Sequence, residues 1–312
     1  MVHHSYNLFK VSKKVKSMKI LVIGRNGMIG NGIFEHLSER HNVYGTLKKS
    51  ISDYSISNNH NIFEGINLTR INLIESVVYD LEPNVVINCS GIIKQKSKDY
   101  SDEDHLYLNG KVPHLLLEAC LKKNIRFINL STDCVFDGKK GFYNDSDTPN
   151  AIDIYGTSKA IGEITKEGCL TIRTSTIGLE VDNNHGLVEW FLSQKGKEIR
   201  GYNNAIYSGL TIKELSRYIE HILINFPKLN GLYNMASERI SKYDLLSILA
   251  RKIENFKILI NKDSEFFCDR SLNGKALDSI TGFKVKSWKK MLSDLALDIN
   301  KSRSLWSFFK NG

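Results

Sequence analysis

Apolar residues fall along this chain in two alternating rhythms. Ile20-Leu21-Val22-Ile23, Val85-Val86-Ile87-Asn88-Cys89, Phe127-Ile128-Asn129-Leu130 and Leu170-Thr171-Ile172 are short, nearly unbroken runs. Strands buried on both faces read this way. A weaker run, Val43-Tyr44-Gly45-Thr46, stands between the first two. Elsewhere the spacing is that of one helix face. From Met28 to about Arg40, Ile29, Ile33 and Leu37 recur at every fourth position, with Phe34 beside them. Val112, Leu115, Leu116 and Ala119 stripe another helix, and a further one is expected around residues 155–167. Strands that alternate with helices predict an α/β fold, a doubly wound parallel sheet with right-handed crossovers. Beyond residue 175 the rhythm is less regular. Helical stripes recur at 212–224 (Leu215, Ile219, Ile222, Leu223) and 241–253 (Leu245, Leu246, Leu249). Gly231-Leu232-Tyr233-Asn234-Met235 reads as a strand that returns to the sheet. The expected organisation is an extension over 1–17, a first domain over 18–175 with a returning segment near 210–236, and a smaller C-terminal domain over 176–312.

Composition narrows the class. Of 312 residues, 41% are hydrophobic and 25% charged, which excludes disordered and fibrous chains. No run approaches the roughly 20 apolar residues of a membrane helix, so no membrane partner is expected. Forty-three Lys+Arg against 34 Asp+Glu give a formal charge of +9. Lys10, Lys13, Lys14 and Lys16 crowd the N-terminal extension, which reads as solvated and lacks the apolar core of a secretion signal. Charge alone is a weak argument for nucleic acid, and none is expected as a partner. Five scattered cysteines without metal-ligand spacing read as free thiols in a reducing, cytoplasmic setting, with no metal site.

The candidate chemistry begins at Gly24-Arg25-Asn26-Gly27-Met28-Ile29-Gly30, a GxxGxxG turn between the first strand and the first helix. The first glycine allows the tight turn, the second the approach of a pyrophosphate, and the third close packing of helix and strand. The helix N-terminus adds free N–H groups for the phosphates. An NAD site wants a carboxylate at the end of the second strand. Here Tyr44-Gly45-Thr46-Leu47-Lys48-Lys49 has none before Asp53, while Arg25 and Lys48 offer cations for a 2′-phosphate. NADPH is therefore expected over NADH. Asn67 and Leu68, after the third strand, are expected at the adenine. The expected cofactor contacts also take in Cys89, Ser90 and Gly91, after the Val85 strand, and Asn109.

Tyr155-Gly-Thr-Ser-Lys159 places a phenol and an ammonium four residues apart, on one face of a helix. A cation beside a phenol lowers its pKa toward the working range, which suits Tyr155 to give a proton to a ketone under reduction. Thr132 follows the strand that ends near Leu130, where open parallel sheets carry their active sites. Its hydroxyl is expected to bond the substrate oxygen and Tyr155.

The glycine turn, Ser131-Thr132-Asp133-Cys134-Val135-Phe136-Asp137-Gly138, Tyr155-Gly-Thr-Ser-Lys159, Gly162-Glu163 and Arg173-Thr174-Ser175 together resemble the extended short-chain dehydrogenase/reductases, in particular their dTDP-4-dehydrorhamnose reductase branch. The resemblance runs over about residues 18 to 295. It implies a Rossmann cofactor domain with a smaller C-terminal substrate-binding domain. It implies hydride transfer from NADPH to the C4 ketone of a nucleotide-linked 4-keto-6-deoxyhexose in deoxysugar biosynthesis. Thr132, Tyr155 and Lys159 would be the catalytic triad, with Lys159 also on the nicotinamide ribose. A homodimer is implied too, although no residue here marks its interface.

Two departures qualify the resemblance. The branch has Tyr where this chain has Cys134, and Pro where it has Ala151. Related 4,6-dehydratases carry Thr-Asp-Glu at Thr132-Asp133-Cys134, so the missing Glu argues against elimination. GDP-fucose synthase, another relative, is similar in having Cys at this position and a His matching His185. Such a pair moves protons beside the ketone, which raises C3 and/or C5 epimerisation as an accompanying activity. Asp133 belongs to the same substrate cluster. Trp190, Tyr202, Asn203 and Tyr207 are expected at the base and sugar, and Arg270 at the diphosphate unless it pairs with Asp269. Two alternatives stay open: a non-catalytic NADP-binding regulatory subunit and a nucleotide-sugar C4-epimerase.

Overall fold

Ile20 and Val22 pack on one face of a central sheet, Leu21 and Ile23 on the other, and all four are buried. That two-sided burial explains the unbroken apolar runs, since each strand has helices on both sides. The structure, a computed structural model, describes residues 16–55, 61–181 and 185–310. All but the last two residues of the basic extension lie outside the described residues.

The first half runs β1 (Lys19–Ile23), α1 (Met28–Ser38), β2 (Asn42–Thr46), β3 (Ile62–Phe63), α2 (Ile71–Leu81), β4 (Val85–Asn88), α3 (Asp102–His105), α4 (Val112–Lys122), β5 (Arg126–Thr132) and α5 (Ile154–Ile161). The second runs β6 (Cys169–Thr174), β7 (Thr176–Ile177), α6 (Leu187–Ser193), β8 (Glu198–Tyr207), β9 (Leu210–Thr211) and α7 (Ile212–Asn225). It ends with β10 (Gly231–Asn234), β11 (Ile240–Ser241), α8 (Lys242–Ala250), β12 (Leu259–Asp269), α9 (Lys275–Thr281) and α10 (Trp288–Lys310). Seven strands form a parallel sheet in the order β10-β6-β5-β4-β1-β2-β3. This is a Rossmann-type α/β fold. One core joins α1, α7, α8 and α10 to one face, and a second joins α2 and α4 to the other. Gly231–Asn234 pairs in parallel with Leu170–Arg173, so the chain returns to the sheet after α7.

Two expectations shift. On α4, Leu117 is buried and Leu115 only half-buried, because α4 meets the sheet through Val112, Leu116, Leu117 and Cys120. The helix expected over 155–167 ends at Ile161. Gly162 lies so close to Asn109 that a Cβ would overlap the Asn109 carbonyl oxygen.

A three-stranded sheet, β11-β8-β12, carries the small domain. Its end is clamped to the loop after β5. The Asp269 N–H donates to the Gly138 carbonyl at 2.8 Å, and Tyr143 bridges Leu272 in parallel. Arg239 pairs with Asp269 at the same joint. Among the described residues no helix is long and apolar enough to cross a membrane.

Candidate active site

The strand order reverses between β1 and β4, and the loops leaving their C-terminal ends diverge into a crevice. Gly24 leaves β1 at φ 82°, a left-handed conformation that favours glycine. A Cβ at Gly30 would overlap the Gly24 carbonyl oxygen, so the start of α1 lies directly on the loop. No side chain caps α1, which leaves its first N–H groups for a ligand's phosphates. A cavity of about 280 Å³ fills the crevice. Gly24, Asn26 and Gly27 line it, with Lys48 beyond β2, Asn67 and Leu68 after β3, and Cys89, Ser90 and Gly91 after β4. Sequence reasoning missed Thr46, Tyr54, Ile66 and Leu108, and a loop wall of Ile92, Ile93, Lys96 and Tyr100. No periodicity marks a wall that forms only when the loop after β4 folds back.

Six expected cofactor residues, Lys159 among them, do not line this cavity. Arg25 is the main correction. Its fully buried guanidinium donates to Asn31 Oδ1 at 2.9 Å and Glu35 Oε1 at 2.6 Å, over the Phe34 ring. A carboxylate partner holds the cation against α1 and away from the crevice. Met28 faces Gly178 on the far side of the loop, Ile29 packs on the core, and Gly30 is spent on helix packing. Asn109 accepts the Ile92 N–H at 2.8 Å and donates to the Ile92 carbonyl at 3.2 Å and to Ser158 Oγ at 3.3 Å. It braces the crevice wall from behind.

At the end of β5 the chain enters a tight turn, Asp133–Val135. Thr132 Oγ1 accepts the Cys134 N–H at 3.2 Å and donates to Asp133 Oδ1 at 3.2 Å. Helix α5 presses against this turn because Gly156 has no side chain; a Cβ there would overlap the Cys134 carbonyl. The close approach sets the Tyr155 hydroxyl beside Thr132. One helical turn on, buried Lys159 donates to the Leu130 carbonyl at 2.7 Å and faces Cys89, which lines the cofactor cavity. Thr132, Tyr155 and Lys159 therefore form one cluster that reaches from β5 to the crevice.

The electrostatics differ from the simple expectation. Burial, followed by the neighbouring Cys134, pushes the Tyr155 phenol well above its ordinary pKa. Lys159 instead spends its ammonium on the Leu130 carbonyl, and burial lowers it to about 8. Burial pushes the Cys134 thiol up to about 12, aided by Asp133 and opposed by Arg270 and Lys94. Burial also raises Asp133. Tyr155 and Cys134 are thus neutral proton holders around pH 7.

Arg270 leaves β12 with its Nε donating to the Phe136 carbonyl at 2.8 Å, and its charge acts on Cys134, Asp133 and Asp153. Asp269 takes Arg239 as its partner, so the alternative Asp269 pairing of Arg270 does not form. Buried Tyr207, at the end of β8, interacts with the same Asp133 and Cys134. Two cations at this mouth escaped sequence reasoning: Lys94, 2.8 Å from Asp153, and Lys242, whose charge acts on Asp133. His185 is exposed, with its backbone N–H donating to Glu180 Oε2 at 2.8 Å. Trp190 is 41% exposed on α6. Tyr202 leans on Phe266 at 4.9 Å, and the Asn203 amide donates to Asn204 Oδ1 at 3.5 Å, both within the small sheet.

Known proteins resemble this chain in sequence and fold. The chain is 26% identical over 254 residues to the dTDP-4-dehydrorhamnose reductase of Aggregatibacter actinomycetemcomitans, covering 78% of this chain and 82% of that protein. It is 23% identical over 151 residues to methionine adenosyltransferase 2 subunit beta of Bos taurus, covering 48% and 42%. The crystal structure of dTDP-4-dehydrorhamnose reductase from Bacillus anthracis in complex with NADP superposes with a TM-score of 0.74 at 22% identity, over 90% of this chain and 99% of that one. The family model described as the RmlD substrate binding domain matches residues 18–299. With the reversed strand order, the glycine turn and the Thr132–Tyr155–Lys159 cluster in place, this chain belongs to the RmlD substrate-binding-domain family.

Proposed function

We propose that the protein reduces the C4 ketone of a nucleotide-diphosphate-linked 4-keto-6-deoxyhexose with NADPH. The observation that carries this is the Tyr155 hydroxyl beside Thr132 at the end of β5, with Lys159 on the same helix facing Cys89, which lines the crevice. The crevice fits a dinucleotide: a glycine cradle, an uncapped helix start, and the amide of Asn67 where an adenine edge would lie. It favours NADPH because Thr46 and Lys48, with no carboxylate, line the end of β2. A bound nicotinamide supplies the hydride.

This chain's residues do the rest. Thr132 orients the ketone oxygen together with the Tyr155 hydroxyl. Tyr155, kept protonated by burial, gives its proton to the oxygen as negative charge develops there. The Lys159 ammonium stabilises the resulting phenolate. Arg270, anchored through its Nε, keeps the rest of its guanidinium for the diphosphate. For an accompanying epimerisation, a Cys134 thiol pushed up to about 12 is a proton donor rather than a base near neutrality.

The test is an absorbance assay of NADPH with a panel of dTDP-, UDP- and GDP-linked 4-keto-6-deoxy sugars. Oxidation is expected only with a ketone present, faster with NADPH than with NADH. Tyr155→Phe is expected to lower kcat by about 10²–10⁴-fold; wild-type turnover in that variant sinks the reading. The likeness to methionine adenosyltransferase 2 subunit beta supports a second reading, a cofactor-binding subunit without turnover. NADPH binding with no oxidation across the whole panel would favour it.

A further inference from the structure

Ile92, Ile93, Lys96 and Tyr100, from the loop after β4, wall the crevice. Buried side chains anchor this loop at two points. Asn109 holds Ile92 through both backbone groups, and buried His105 pairs with the Ser97 hydroxyl at 3.0 Å and carbonyl at 3.2 Å. Between the anchors, Lys94 reaches the opposite way and places its Nζ 2.8 Å from Asp153 Oδ2. Asp153 is the N-cap of α5, and its Oδ1 accepts the Gly156 N–H at 2.8 Å. The two oxygens of one carboxylate thus serve two elements. One starts the helix that carries Tyr155 and Lys159; the other grips the loop that walls the crevice.

We propose that Lys94 is a positioning residue: its ion pair with Asp153 docks the crevice wall onto the N-terminus of α5 and so holds a bound dinucleotide against Tyr155. This rests on reading the crevice as a cofactor site. The two side chains are 42% and 37% exposed. So exposed a pair adds little to global stability. Its loss is expected to appear in ligand binding rather than in folding.

NADPH is titrated by fluorescence into the full-length protein and into Lys94→Gln, Asp153→Asn and the double variant. Asparagine keeps the helix cap while removing the charge. Each single variant is expected to raise the NADPH dissociation constant about five- to tenfold at unchanged Tm, and the double variant to be no worse than either, because both remove one bond. Lys94→Arg is expected to restore affinity. KM for NADPH should rise more than KM for the sugar. Equal affinities in wild type and both single variants, or single effects that add in full, would overturn the latch while leaving the cofactor reading standing. A wild-type protein that binds no NADPH would remove both.

Discussion

Lys159 holds its charge in surroundings that oppose it, and this gives the residue scale its sharpest prediction. Burial lowers its pKa from 10.5 to about 8. Below about pH 8 the ammonium is present and can stabilise the Tyr155 phenolate; above it, the charge is lost. kcat/KM is expected to fall about tenfold per pH unit above that point. Stability should move the other way. Between the folded and unfolded pKa values the unfolded chain binds more protons, so the contribution of Lys159 to stability rises from about pH 8 to 10.5. Opposite slopes in a pH–rate profile and in urea melts over the same range check both; a Lys159→Met variant should flatten the stability slope. The sequence showed which residue was charged but not what its charge would face. Four-residue spacing put Lys159 beside Tyr155, yet its nearest acceptor, the Leu130 carbonyl, comes from another strand.

At the scale of elements, the glycine turn and α1 behave as one unit. The approach that excludes a Cβ at Gly30 also sets where the first N–H groups of α1 lie relative to Gly24. Gly30→Ala is expected to cost about 1–3 kcal/mol through overpacking against backbone, outweighing the better helix propensity of alanine. It should also weaken NADPH binding more than it lowers stability, as urea melts paired with cofactor titration would show. This element was legible because the need for glycine is local. The fate of Arg25 was not, although it lies inside the same turn. A basic residue near a phosphate loop reads as a phosphate ligand until Glu35, ten residues on, is seen to take the guanidinium. The helix α5 shows the same division. Its presence around residues 155–167 was legible, but its cap by Asp153, its end at Ile161 and the close fit of Gly162 to the Asn109 carbonyl were not.

At the scale of the molecule, a buried ion pair joins the segment after α5 to the central sheet. Arg173 on β6 donates through Nε and Nη2 to both oxygens of Glu163, at 2.8 and 2.7 Å, and through Nη1 to the Asp145 carbonyl at 3.1 Å. Both side chains are almost wholly buried. Arg173→Met would leave Glu163 as an unpaired buried charge, at a cost of about 3–5 kcal/mol. Thermal unfolding should show a matching fall in Tm, and Tyr155-dependent turnover should fall with it, since Glu163 follows α5 and also accepts from Ser131. By itself the amino-acid order determined the alternation of strands and helices, the nucleotide turn and the Thr132–Tyr155–Lys159 set. Each of these is written in short-range spacing, where backbone geometry dictates the pattern. Tertiary structure alone decided that Lys48 and Lys96 line the crevice, that Arg25 turns to Glu35, and that Lys94 turns to Asp153. Those outcomes depend on partners from distant elements, and the desolvation and pairing that set a charge's role exist only once those elements have packed.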